Sequence, residues 1–237
     1  MAYHSNSDYL YGYDGFELID NKTIAEEIWN KKQVDEITSS KNSSIVAFIS
    51  NCATSAKREG LIPILREHFL FRGFCYDQQL SDQDKDAIEG RHKFFLALEN
   101  SACEEYVTEK FFRLKKLMIP IVFSRRLVPK RMPQDAFIAI DDFEKLDDFV
   151  EFILGVESNA TLHKSYFKWT EKYKKTSAPV NAVCDLCIEL HNEKISHRSI
   201  PSNKLNEVEQ CVPDYAGTVL AGIAASNEIT LSTVNSR

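Results

Sequence analysis

At 237 residues and 43% hydrophobic, the chain can bury one good core with a smaller segment left over. A formal charge of -6 and a pI near 5.6 argue against a nucleic-acid binder, which ordinarily shows a basic footprint. No apolar run approaches the roughly twenty residues a bilayer needs, and the opening MAYHSNSDYLYGYDGF lacks the regions of a signal peptide.

Residues 1–44 read as a lead-in and linker. The first 20 are irregular, Asn21–Lys32 is helical by its spacing of Ile24, Ile28 and Trp29, and Lys31–Ser44 is a polar, Ser-rich loop. Ile45–Ile49 is a buried strand that ends in the small polar run Ser50–Ser55. The helix Lys57–Phe69 follows, lined by Leu61, Ile64, Leu65, His68 and Phe69, with Pro63 near its first turn or bending it. Phe71–Tyr76 is a candidate strand, and Asp77–Gly90 is acidic and loop-like. Phe94–Leu98 is an unbroken apolar run, the mark of a strand buried on both faces of a parallel sheet. The polar loop Glu99–Glu105 then leads through Tyr106–Lys110 into a helix with Val107, Phe111, Leu114 and Leu117 on one face.

Further strands are expected at Ile119–Phe123 and Phe137–Ile140, separated by a basic, proline-bounded loop at Ser124–Pro133. Asp141-Asp142 is expected to cap the helix Glu144–Leu154, ahead of helices at Thr161–Tyr173 and Val180–Lys194. Beyond Ser196 the periodicity fades, and 196–237 reads as a weakly ordered tail. Alternating strands and helices with continuous apolar strands specify an α/β protein with a parallel sheet, so residues 45–195 form a Rossmann-like domain.

In such a sheet the ligand crevice lies beyond the carboxyl ends of the strands. That rim collects Arg58, Lys110, Arg125, Arg126, Lys130 and Arg131, cations suited to a phosphate or pyrophosphate. Neither GxxxxGK[ST] nor GxGxxG occurs, so a pyrophosphate held here needs side chains instead, and Arg58 with Lys110 would serve. Tyr106 is placed to stack on a base and Glu109 to accept from a ribose hydroxyl. The plainer alternative makes Glu109-Lys110 a solvated face with a dipole-matched carboxylate, and Tyr106 part of the core.

Longer strings carry a resemblance. FFLALENSACEEYVTEKFF and FISNCATSAKR, followed by IPIVF, DAFIAIDDF, YFKW and VCDLC, and preceded by AYHSNSDYLYGY, resemble the α1,3-fucosyltransferases of glycosyltransferase family 10 over about residues 1–195. The resemblance implies the C-terminal half of a GT-B enzyme that uses GDP-fucose as donor, with no metal and no further cofactor. Carried over residue by residue, Arg58 holds the pyrophosphate and Lys110 neutralises the same leaving group. Glu109 bonds donor sugar hydroxyls, and Tyr106 packs on the guanine side. Ser50, Asn51 and Asn100 line the pocket, and Tyr3 sits where donor and acceptor meet.

It also implies inverting α1,3 transfer to N-acetylglucosamine-containing glycans of glycoproteins or glycolipids, on the lumenal side of the Golgi membrane. The family's membrane anchor and its catalytic base are expected upstream of the segment matching Ala2–Tyr13, so no catalytic residue is assigned, and Glu99, Glu104 and Glu105 are not substitutes. The alternative reading is a non-catalytic, GDP-fucose-binding relic, and a third is an unrelated nucleotide-binding α/β protein. Asp141-Asp142 is read as a helix cap and not as a metal-binding DxD. The loop SRRLVPKRMP departs from the family pattern. Six cysteines (Cys52, Cys75, Cys103, Cys184, Cys187, Cys211) are too sparse for a disulfide scaffold. The resemblance makes Cys184 and Cys187 a structural disulfide; separately, Cys52 with Cys75 or Cys103 could bridge neighbouring strand ends, a pairing the residues leave open, and Cys211 is left without an assigned partner. Three sequons, at Asn21, Asn42 and Asn159, are compatible with a secretory lumen.

Overall fold

The computed structural model describes residues 3–5, 7, 9–67, 69, 80–178, 182–192 and 211–222. Its centre is a four-stranded, wholly parallel sheet of β1 (Ser43–Val46), β2 (His92–Leu96), β4 (Ile119–Val122) and β5 (Ile138–Ala139), side by side in that order. The register pairs Ile45 with Phe94, Phe94 with Ile119, and Ile121 with Ile138. All four strands therefore end on one rim. The strands are apolar on both faces because both are covered: Phe94, Phe95, Phe111, Phe137, Phe149 and Trp169 are fully buried. A second, two-stranded sheet pairs β3 (Ala102–Cys103) antiparallel with β6 (Cys211–Val212).

Between β1 and β2 lie helices α2 (Arg58–Arg66) and α3 (Asp82–Arg91). Helix α2 buries Leu61, Ile62 and Leu65; Ile64, expected on that face, is only half-buried, and Pro63 sits in the second turn facing solvent. Helix α3 replaces the expected acidic loop. Its only large apolar residue is Ile88, so periodicity is silent, but Ser81 and Asp84 form a reciprocal capping box that fixes its start. The candidate strand Phe71–Tyr76 lies outside the described residues.

The same physics accounts for α1 (Lys31–Ser40), where a loop was expected: Asn30 and Gln33 cap it reciprocally. Upstream, the helix expected over Asn21–Lys32 reduces to a 3-10 turn at Ala25–Glu27 that buries nothing. After β5, helix α4 (Leu146–Ser158) starts later than expected and takes no side-chain cap. Asp141 and Asp142 lie instead in a 3-10 turn, where Asp142 pairs with Arg125 at 2.6 Å. The helix expected over Thr161–Tyr173 splits into α5 (Ala160–Ser165), capped by Asn159, and a 3-10 turn at Lys168–Glu171. Helix α6 (Ala182–His191) is exposed, and its Cys184 and Cys187 are free thiols, against the expected bridge.

The tail also departs from expectation. Cys211 is bonded to Cys103, and residues 215–222 are helical, with Tyr215, Ala216 and Val219 buried against the main domain. A segment of weak periodicity is ordered because a covalent bridge and a short apolar face dock it. Cys52 is disulfide-bonded, and Cys103 is excluded as its partner. No described helix is long and apolar enough to cross a membrane.

Candidate active site

The carboxyl rim is built from the corners that follow β1 and β2. After β1 the chain turns through Ser50–Lys57, with Ser50 and Asn51 exposed, and enters α2 from Lys57 in the left-handed region at φ 55°. Arg58, the first residue of that helix, is only 2% exposed. Its guanidinium donates to the carbonyls of Leu98 at 2.6 Å and Asn51 at 3.1 Å, tying the two corners together. Its Nε is buried without a partner. Burial lowers the Arg58 pKa, and the carboxylates of Glu99, Glu59 and Glu109 pull it back up.

After β2 the corner is organised by Glu99. Its buried carboxylate accepts from the Thr108 amide and hydroxyl, both at 2.8 Å, and from Lys110 Nζ at 3.0 Å. Burial raises the Glu99 pKa, while Lys110 and the Thr108 bonds act against that rise. Lys110 also donates to Thr108 Oγ1 at 2.9 Å and to Glu109 Oε1 at 3.2 Å. The element that follows is a 3-10 helix, Phe111–Lys116, and not the expected α-helix. Phe111, Leu114 and Leu117, three residues apart, are its buried face, since 3-10 geometry aligns i with i+3. A helix dipole therefore contributes little at this corner, and charge complementarity rests on side chains.

Tyr106 lies half-buried with its ring 5.0 Å from that of Tyr3, and burial together with Tyr13 and Glu99 raises its phenol pKa. Glu105, at φ 61°, accepts from the Ser5 hydroxyl at 2.9 Å and from Arg131 at 3.4 Å, and Arg131 reaches the Tyr3 carbonyl at 3.3 Å. These contacts bring the residue 3–5 segment onto the rim. Asn100 receives the Ala56 amide on its carbonyl at 2.9 Å, while its Oδ1 is buried without a partner. The loop after β4 sends Leu127 and Val128 into the cleft between Glu99, Tyr106 and Phe123, leaving about 20 Å³, room for roughly one water.

The structure thus joins Lys110 to both Glu99 and Glu109 and ties Arg58 to the same corner through the Leu98 carbonyl, with Asn51 and Asn100 at the corners and Tyr3 against Tyr106; Ser50 stays on the exposed lip. Arg125 leaves the expected cationic rim. It is committed to Asp142 and to the Gln134 carbonyl at 2.5 Å, over the Phe137 ring. Sequence reasoning missed Thr108 as the residue that joins Glu99 to Lys110. Its signal was the position of Thr108, two residues before Lys110. No group of metal-ligating side chains occurs among the described residues.

A parallel sheet with a polar rim at its carboxyl edge defines an open α/β domain of the class that binds ligands at that edge. Residues 38–207 match the model for glycosyltransferase family 10 (fucosyltransferase), C-terminal domain, and the chain belongs to that family. It is 29% identical over 219 residues to α-(1,3)-fucosyltransferase C of Drosophila melanogaster, covering 84% of this chain and 50% of that one. It is 33% identical over 134 residues to α-(1,3)-fucosyltransferase fut-1 of Caenorhabditis elegans, covering 54% of this chain and 31% of the relative. The fold is similar to a crystal structure of an α1,3-fucosyltransferase with GDP-fucose, at TM-score 0.50 and 18% identity over 68% of this chain and 51% of that one. The chain spans about half the length of the first of these relatives and of that structure.

Proposed function

We propose that this rim binds GDP-fucose and that the protein takes part in inverting α1,3-fucosyl transfer to N-acetylglucosamine-containing glycans. The observation that carries this reading is that Arg58, at the start of α2, donates to the Leu98 carbonyl at 2.6 Å, one residue before the buried Glu99 whose carboxylate holds Lys110 at 3.0 Å, so the two cations share one corner of the rim. Glycosyl transfer leaves growing negative charge on the departing GDP. A guanidinium and an ammonium set beside the diphosphate stabilise that charge more in the transition state than in the ground state. Arg58 has a planar fork able to engage two oxygens at once; the carbonyls of Leu98 and Asn51 now occupy it, and the diphosphate would have to displace at least one of them.

Tyr106 then faces the guanine, Glu109 a donor sugar hydroxyl, and Tyr3 the boundary with the acceptor. Ser50, Asn51 and Asn100 line the approach. Glu99, Glu105 and Glu109 are each engaged by neighbouring donors, so none is assigned the deprotonation of the acceptor hydroxyl. That engagement supports a second reading, in which residues 1–237 bind the donor and the base comes from elsewhere. A lumenal Golgi location and a glycoprotein or glycolipid acceptor belong to the same proposal.

Calorimetric titration with GDP tests the binding half. Binding to the wild-type chain, its loss in Arg58→Ala, and partial retention in Arg58→Lys support it; no binding by the wild type rejects it. Release of GDP from GDP-fucose in the presence of an N-acetyllactosamine acceptor then separates transfer from donor binding alone.

A further inference from the structure

We propose that residues 211–222 are a clasp that holds the donor site in shape, with Cys211 and Tyr215 as its positioning residues; this rests on the donor-binding reading above. The segment lies beyond the family match, which ends at residue 207. It nevertheless touches every corner of the site.

At the corner after β2, the Cys103–Cys211 disulfide spans 108 residues of chain, and β6 pairs with β3 through Ala102 and Val212. The carbonyl of the same Cys103 accepts the Tyr106 amide at 3.2 Å, so the bridge anchors the turn that presents Tyr106. At the corner after β1, Asp214 donates to the Ser55 carbonyl at 2.8 Å and Ala216 to the Ala56 carbonyl at 3.0 Å. Ala56 in turn donates to Asn100 at 2.9 Å, and Arg58 follows two residues later. At the third corner, Tyr215 is buried with its ring 5.6 Å from Phe123, which lines the cleft beside Glu99, and its hydroxyl 3.5 Å from Asp141 Oδ2.

These corners carry little regular structure of their own. β3 is two residues long, and Lys57 and Glu105 both sit at positive φ. Corners of that kind need an outside anchor to keep one geometry, and a site ordered before its ligand arrives loses less entropy on binding. Positioning by the clasp accounts for why a short segment makes contacts at each corner in addition to packing its apolar face on the domain.

The test uses the whole 237-residue chain. GDP affinity is measured calorimetrically well below the unfolding temperature of each variant, and amide hydrogen exchange is followed at Ala56 and Tyr106. Cys211→Ser and Tyr215→Ala are each expected to weaken GDP binding about tenfold, the scale of ordering one or two loosened side chains on binding. Both should speed exchange at Ala56 and Tyr106 while leaving the central strand β2 protected. Tyr215→Phe, which keeps the ring on Phe123, should restore most of the affinity. Tyr215→Ala keeps the disulfide and serves if Cys211→Ser does not fold. Folded variants with wild-type affinity and wild-type exchange at both amides would reduce the bridge to a stabiliser and overturn the proposal. Absence of GDP binding by the wild type rejects the donor reading instead, and the exchange rates then decide the clasp alone.

Discussion

Glu99 and Lys110 meet at 3.0 Å at the carboxyl end of β2, and that contact uses one of three N–H donors on an ammonium whose other two go to Thr108 and Glu109. Glu99 is held as firmly from the other side, by the amide and hydroxyl of Thr108. The pair is thus part of the local fold as well as the candidate site. Removing the ammonium leaves a buried carboxylate without its cation, a loss on the order of 3 kcal/mol. Lys110→Met is expected to lose about that much stability at pH 7 by urea denaturation. The double variant Lys110→Met, Glu99→Gln should recover at least about 1 kcal/mol of it, because the uncompensated charge is gone. Equal stabilities for the single and double variants would show that an uncompensated Glu99 charge is not the source of the loss.

The saturated ammonium has a consequence for binding. A diphosphate can take a bond from Lys110 only if an existing partner gives way, and Glu109, whose side chain is 56% exposed, is the least fixed of the three. In the proposed site, the donor displaces Glu109 from Lys110 and leaves that carboxylate to accept from the sugar. Glu109→Gln is therefore expected to bind GDP more tightly, by about threefold, the worth of one partly exposed ion pair. The same variant should transfer fucose at least about tenfold more slowly. Weaker GDP binding in Glu109→Gln would contradict the exchange.

Both halves of this corner were partly legible in the sequence. The unbroken run Phe94–Leu98 located a strand, since burial on both faces demands an apolar run, and the spacing of Phe111, Leu114 and Leu117 located a buried face, though it belongs to a 3-10 helix and not to the expected α-helix. Arg58 and Lys110 followed from the rule that ligands gather at the carboxyl rim. Helices α1 and α3 stayed hidden because their order comes from the reciprocal caps Asn30–Gln33 and Ser81–Asp84, while few of their residues are apolar. The Cys103–Cys211 bridge was invisible for another reason: a pairing across 108 residues leaves no local trace in composition or period. Arg125 looked like a rim cation until its partners, Asp142 and the Gln134 carbonyl, were placed by the fold.

On the amino side of the sheet, His163 is 3% exposed, set edge-on between Phe94 and Phe167. Burial, with Lys93, Lys41 and Lys164 nearby, lowers its pKa to about 4 from the ordinary histidine value of 6.5. The unfolded chain therefore binds a proton that the folded chain refuses between those values. Stability must fall as the pH drops from about 6.5 toward 4 and level off below. Between pH 6.5 and 4.5 this one group removes about 2 kcal/mol. His163→Leu, which keeps an apolar side chain in the space, should flatten that part of the profile in denaturant titrations. An unchanged acid slope would assign the loss to the carboxylates.

Asp14 anchors the segment that carries Tyr3 and Tyr13 to the domain. Its two oxygens each receive Lys115 Nζ at 3.0 Å, and the same carboxylate accepts the Ser177 hydroxyl at 3.0 Å and the Ala178 amide at 2.7 Å. Lys115 lies 5.0 Å above the Phe16 ring, and burial already lowers its pKa while Asp14 holds it up. Asp14→Ala takes away the carboxylate and leaves a buried ammonium with the carbonyls of Gly15 and Thr176 and the rings of Phe16 and Phe112, and no hydrogen-bonded carboxylate. The expected loss is about 3 kcal/mol at pH 7. A base whose folded pKa is depressed weakens the fold below that pKa and stops doing so as it deprotonates, so the deficit must shrink as the pH rises toward the unfolded value near 10.4. Urea titrations of wild type and Asp14→Ala at pH 7 and pH 9.5 check both the size and the sign. A deficit unchanged between the two pH values would mean that Asp14 acts through its bonds to Ser177 and Ala178 and not through the lysine.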